Sequence, residues 1–288
     1  MAVLALLSAK GAPGVTTSAL LLAALWPRQV LLVDADTEGG DIAYRLPRAD
    51  GAPVDRSRGL LSLLSLARRE LSPTALPEHA QTLAGGTELL AGLAGPEQAG
   101  AAGQLWHNLG RSFAGSTDRD LVVDCGRVGA GSVHLPLLQQ ADLALCVLRP
   151  TVSQVVQARE RLAALAPLLA GGSGSGPHLG VLVVGPPGGS RDVDATHALI
   201  ERDLPDVTSY GVLAHDVQGA SVFEGAQVSR PERTLLVRSG REVVERLADM
   251  LAPRPAAVTA PEPDAEHARP ARRRRLRRPS TAERRPVA

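Results

Sequence analysis

Short apolar runs recur along the first 252 residues and are separated by segments with helical spacing or turn composition. Residues 2–7 form an unbroken apolar run. A Gly-, Thr- and Ser-rich segment follows at 8–18, then a second apolar stretch at 19–26. That order predicts strand, loop and helix, with Thr16, Thr17 and Ser18 at the helix start. Residues 29–33 read as the next buried strand and close on Asp34-Ala35-Asp36. Strand, loop, helix and strand in close succession make a βαβ unit with a right-handed crossover.

The same alternation continues. Helices are predicted over 59–66, 104–114, 151–169, 192–203, 220–225 and 239–251, and strands over 87–91, 120–124, 141–148, 178–184 and 208–214. Residues 72–103 otherwise look loop-rich, and the Gly/Ser run at 171–176 reads as a flexible surface connection. The leucines of 59–66 cover several faces, so that helix is either deeply buried or touches a partner. Val- and Leu-rich strands alternating with helices imply an α/β fold, with a mostly parallel sheet covered by helices on both faces. One domain is expected over residues 1–252.

Composition refines this picture in three places. Aromatic residues make up only 2% of the 288-residue chain, so Ala, Leu and Val must fill a core drawn from 44% apolar residues. Residues 253–288 carry ten arginines against four acids, a net +6 that leaves −5 on the rest of a chain with an overall charge of +1. This Pro-, Ala- and Arg-rich tail has little apolar surface to bury and is expected to be disordered. Its run at 271–279 suits a solubilising tail, a salt-sensitive contact with DNA or an anionic membrane, or protein docking. The two cysteines, Cys125 and Cys146, sit in strand-like runs and read as buried thiols of a reducing cytosol. No apolar stretch approaches the roughly 18 residues of a membrane span. The expected location is cytoplasmic, peripheral to a membrane or the nucleoid where the tail makes such a contact.

The chemistry gathers at strand ends, where open parallel sheets bind ligands. Lys10-Gly11-Ala12-Pro13-Gly14-Val15-Thr16-Thr17 follows the first strand. Such a loop offers backbone N–H groups and a helix N-terminus to an anion, usually phosphate. Lys10 is the only lysine in the chain; the other thirty cationic side chains are arginine. Asp34 and Asp36 follow the second strand, and Asp124 follows a middle one. A threonine hydroxyl beside carboxylates is the hard-oxygen donor set that Mg²⁺ on nucleotide phosphates requires. Acids at single strand ends are also ordinary solvated turn residues; the order and spacing of the three sites together carry the weight. The seven histidines show no metal-ligand spacing, and two cysteines are too few for an iron–sulfur site.

Over roughly residues 2–251 these motifs resemble the MinD/ParA family of deviant Walker A P-loop ATPases. The family loop reads Lys-Gly-Gly-x-Gly-Lys-Thr-Thr/Ser, matched here by residues 10–17. The resemblance implies ATP and Mg²⁺ as ligands, with Lys10, Gly11, Ala12, Pro13, Gly14, Val15, Thr16 and Thr17 around the phosphates. It further implies Mg²⁺ near Thr16, Asp124 and Asp36, with Asp36 orienting the attacking water. In the family the early lysine, Lys10 here, reaches the partner's phosphates in an ATP-sandwiched dimer, which makes Lys10 and Asp36 the expected catalytic pair. Residues 121–126 resemble its Walker B segment, and Gly211–Asp216 fall at its adenine-side turn.

The departures are specific. Val15 stands where the second loop lysine is expected, Ala12 replaces a glycine, Pro13 lacks an N–H, and Ala214 replaces the adenine-side proline. A charge-assisted hydrogen bond contributes about 1.5–3 kcal/mol, so losing that lysine implies roughly ten- to a hundredfold weaker nucleotide binding. Hydrolysis is expected to be weak at most. The family's roles are chromosome or plasmid partitioning, division-site selection, and localisation of a pilus or secretion apparatus. The atypical loop is similar to that of TadZ/CpaE-like members. A second expectation is a degenerate adaptor that keeps the fold and works through protein contacts without turnover. A third, a small-molecule ligase or kinase on the same fold, has no substrate pocket that the sequence names.

Overall fold

A computed structural model describes residues 1–66, 71–170 and 176–252. The strands are β1 (Val3–Ser8), β2 (Val30–Asp34), β3 (Gln81–Thr82), β4 (Glu88–Leu90), β5 (Asp120–Arg127), β6 (Leu143–Leu148), β7 (His178–Gly185) and β8 (Val207–Ala214). The helices are α1 (Val15–Leu25), α2 (Ile42–Arg45), α3 (Leu60–Leu66), α4 (Leu76–His79), α5 (Pro96–Ala102), α6 (Leu105–Ala114), α7 (Leu135–Leu138), α8 (Val152–Ala170), α9 (Arg191–Asp203), α10 (Val217–Ser221) and α11 (Leu235–Met250). The strands form one sheet in the order β3-β4-β2-β5-β1-β6-β7-β8. All neighbours run parallel except the edge pair β3–β4. This is the α/β architecture implied by the alternating pattern.

Strand periodicity distributes the core to both faces. Val3, Ala5 and Leu7 of β1 join one apolar cluster with residues of α3, α5, α6, α8 and α9. Leu4 and Leu6 join the opposite cluster with α1 and α11. α1 is apolar nearly all round, with Val15 and Ser18–Ala23 buried, because it lies between the sheet and α11. A Cβ added at Gly240 of α11 would come within 2.8 Å of Leu21, so the absence of a side chain there lets the two helices approach closely.

Several boundaries differ from the sequence reading for local reasons. Residues 72–103 contain α4, β3, β4 and α5, not one strand in a loop. β5 continues to Arg127, three residues past the predicted end, because Ser8 of β1 pairs with Arg127, whereas the ladder with β2 stops at Asp124. The helix expected over 220–225 starts at Val217, where the Asp216 carboxylate accepts the Gly219 N–H at 3.0 Å. α11 starts at Leu235, four residues early, behind the Thr234 cap. In α3, Leu60, Leu63 and Leu64 are buried while Leu61 and Leu66 are exposed. Both cysteines are free and buried, and burial pushes the Cys146 thiol up to about 12. No helix among the described residues is long and apolar enough to cross a membrane. The Gly/Ser run at 171–175 and the tail at 253–288 lie outside the described residues.

Candidate functional site

β1 lies between β5 and β6, so the chain leaves it toward β2 on one side and later returns on the other. The crevice at the carboxyl ends of these strands is the switch point at which open α/β sheets bind ligands. A cleft of about 490 Å³ opens there, lined by the 11–17 loop, Asp36, Glu38, Gly126 and three arginines, Arg45, Arg127 and Arg149. Gly11 (φ 72°) and Gly14 (φ 115°) hold left-handed backbone, a conformation in which a side chain would be strained. Gly14 ends the loop as the N-cap of α1, and no side chain caps the helix. The Ser18 N–H makes the first helical bond, to the Gly14 carbonyl at 2.8 Å. The first-turn N–H groups before it have no helical acceptor, and they carry the positive end of the helix dipole.

The expected loop residues divide in three. Gly11, Ala12, Gly14, Val15, Thr16 and Thr17 line the cleft. Pro13 is buried and faces an adjoining, mostly apolar cleft of about 170 Å³, which it shares with Ala214, Val217 and Leu236. Val15 is on the cleft wall, yet the residue is only 6% exposed and its side chain packs with the core. Lys10 is exposed and is not among the residues lining either cleft.

The carboxylates sit side by side because β2 and β5 are in register, Asp34 opposite Asp124. Asp124 is buried; one carboxylate oxygen accepts the Gly126 N–H at 2.9 Å, and Oδ2 has no partner. Burial raises its pKa to about 6, against the pull of the Thr16 hydroxyl and the Gly126 amide, which favour the charged form. Asp34 is pushed well above the ordinary carboxylate range by burial and then by Asp124. Its Oδ2 accepts the Ile42 N–H at 3.2 Å, and a Cβ at Gly40 would fall 2.5 Å from that oxygen. Asp36 is raised by partial burial and eased by the Glu38 amide, which donates to it at 2.9 Å. Gly126 (φ 58°) lies so close to Asp36 that a Cβ would run into the carboxylate. Thr16, Asp36 and Asp124 are thus brought to one place.

The fit to Mg²⁺ rests on that donor set. Asp124 Oδ2 is a buried oxygen without a partner, and the Thr16 hydroxyl stands beside it. Among the described residues no three acidic, His or Cys side chains form a metal cage of their own. Mg²⁺ is commonly held by one or two carboxylates, with phosphate oxygens and water completing its octahedron. The residues present fit an ion held in that manner.

Sequence reasoning missed Arg45, Glu224 and Arg149. Arg45 bridges Asp41 at 2.6 Å and Glu224 at 2.5 Å, joining segments far apart in the chain that no local spacing could pair. Arg149 follows the last residue of β6, so the strand-end rule that selected Asp124 could have found it.

No protein-family model and no curated protein sequence matches the chain. Solved structures do. A ParA family ATPase from Chlorobium tepidum TLS superposes with TM-score 0.63 at 18% identity, over 85% of this chain and 98% of that one. The cell division ATPase MinD of Pyrococcus furiosus gives TM-score 0.64 at 18% identity, over 86% and 99%. The fold is the MinD/ParA fold. The septum site-determining protein MinD of Pyrococcus horikoshii OT3, complexed with Mg-ADP, superposes with TM-score 0.60 at 16% identity, over 87% and 97%. In a chain with this fold, the loop after β1 and Asp36 after β2 line one cleft, with Asp124 buried beside Thr16.

Proposed function

We propose that this chain is a MinD/ParA-like protein that binds ATP with Mg²⁺ at the 10–17 loop and forms a nucleotide-dependent homodimer that positions a cargo. Partitioning of DNA, choice of a division site and localisation of a pilus or secretion apparatus are the roles in view. The observation that carries the reading is the unpartnered Asp124 Oδ2 beside Thr16, at the uncapped start of α1. Leaving a buried carboxylate oxygen unpaired costs about 1–3 kcal/mol or more, and a cation at that point would repay the cost. Bound Mg²⁺ would neutralise phosphate charge. The chain's own part is to hold the phosphates with the loop amides and to keep Asp36 on the cleft.

Lys10, exposed and off the lining of its own cleft, supports a role toward a second copy of the chain. The Arg-rich tail would add a salt-sensitive contact with DNA or an anionic membrane. Hydrolysis is weak at most in this reading. A non-hydrolysing adaptor is the second reading, favoured by Val15, whose side chain is committed to the core.

Calorimetry and sedimentation test the proposal. Titration of the full chain with ATP should release heat only with Mg²⁺ present, and the sedimentation coefficient should rise to that of a dimer. Lys10→Ala should keep the heat and lose the dimer. No heat at about millimolar ATP, a regime in which even a weak complex of about −4 kcal/mol registers, would overturn the reading.

A further inference from the structure

Phosphate-binding loops pair their backbone amides with a cationic side chain that reaches the distal phosphates. Neither residue expected to serve here is on the wall of the cleft as a cation. Val15 has no charge and is buried in the core, and Lys10 does not line the cleft. Three arginines do line it. Arg45 is held by Asp41 and Glu224. Arg127 is exposed at the outer edge, where its charge acts on Asp36. Arg149 has no ion pair among the described residues, and its Nε is buried without a hydrogen-bond partner.

From these observations we infer that Arg149 is the phosphate-binding cation of this cleft, meeting from the end of β6 the charge that a lysine at position 15 would otherwise meet. The inference rests on the nucleotide reading above and adds a residue to it. Arg149 lies on the boundary between the polar cleft and the apolar one, sharing both with Gly14 and Thr17. Its backbone is fixed on both sides. The Arg149 N–H donates to Gln154 Oε1 at 2.8 Å, and the Arg149 carbonyl accepts the Thr151 N–H at 2.8 Å. The guanidinium is therefore presented from a rigid strand end, with a buried donor lacking an acceptor. An anionic oxygen between the two clefts supplies that acceptor, and the planar fork of arginine suits phosphate.

The test compares ligands with and without phosphate on the full chain. Arg149→Gln should weaken MgATP binding roughly ten- to a hundredfold, while adenosine binds as it does to the wild type. The salt dependence of MgATP binding should flatten at the same time. Arg149→Lys should recover part of the affinity, because the charge returns without the fork. If Arg149→Gln does not fold, Arg149→Met, which keeps the unbranched stem, carries the same comparison. Equal MgATP affinity in wild type and the charge-free variant overturns the assignment of Arg149 and leaves the nucleotide reading standing. A parallel loss of adenosine and MgATP binding overturns it as well, since the arginine would then act on the fold. A wild type that binds no MgATP overturns the nucleotide reading itself.

Discussion

Two aspartates on one strand show how differently a buried carboxylate can be used. Asp120 and Asp124 both belong to β5, and both are 1% exposed. At the amino end, Asp120 accepts the Ala2 N–H at 2.7 Å, the Trp26 indole N–H at 2.8 Å and Arg28 Nε at 2.6 Å. At the carboxyl end, Asp124 accepts one backbone N–H and leaves Oδ2 unmatched. Asp120 ties the start of β1, the end of α1 and β5 together. Asp124 lies buried beside the cleft-lining Thr16, with an oxygen still to be satisfied and a pKa lifted by burial. A buried acid with several protein donors stabilises the fold; one left short of donors at a strand end is available to a ligand.

That contrast can be broken in three places. The largest effect is expected at Asp120. Asp120→Ala removes the acceptor of three donors and strands the Arg28 charge, so urea denaturation should show a loss of about 3–5 kcal/mol. A negligible loss would remove the distinction between the two ends.

His134 comes next, because it is a buried group with an unpartnered atom that does not line the cleft. Its Nε2–H donates to the Cys125 carbonyl at 3.2 Å, its ring rests 5.8 Å from that of Trp106, and Nδ1 has no partner. Burial lowers its pKa from 6.5 to about 4. The unfolded chain therefore takes up a proton at higher pH than the folded one. Stability from this group is present above pH 6.5 and lost as the pH falls toward about 4, a change of about 3 kcal/mol. His134→Gln should flatten the acid limb of a stability-against-pH curve. An unchanged limb would mean that the ring is already charged in the folded protein.

The smallest effect on stability belongs to Asp124. Its folded-state pKa of about 6 lies above the ordinary 3.8, so the stability that protonation supplies is present at acid pH and lost as the pH rises through about 6. Asp124→Asn should stabilise the chain at about pH 7.5 by on the order of 1–3 kcal/mol. That advantage should fade near about pH 4, where the wild-type acid is itself neutral. The same substitution should abolish Mg²⁺-dependent ATP binding. A variant destabilised at both pH values would place Asp124 with Asp120 as a structural group.

The fold was legible because its strands are nearly continuous apolar runs and its loops carry turn chemistry. The 8–18 loop and the acids after β2 and β5 could be found from the strand-end rule alone. What escaped was set by tertiary pairing. β5 outruns its apolar pattern because Ser8 of β1 pairs with Arg127 beyond an irregularity in the ladder. The small elements of 72–103 are too short for periodicity to mark. Arg45 and Glu224 come together from distant segments. The inward turn of Val15 was not legible either: the sequence shows a missing lysine, while only packing shows that the replacement side chain belongs to the core.

The exposed Lys10 has one more consequence. Across the 288 residues a lysine-specific protease has a single scissile bond, between Lys10 and Gly11. That bond lies in the loop immediately after the central strand β1. The chain thus carries a built-in cleavage reporter on its loop: loss of the mass of residues 1–10 registers an open loop, and persistence of the full mass registers an occupied one.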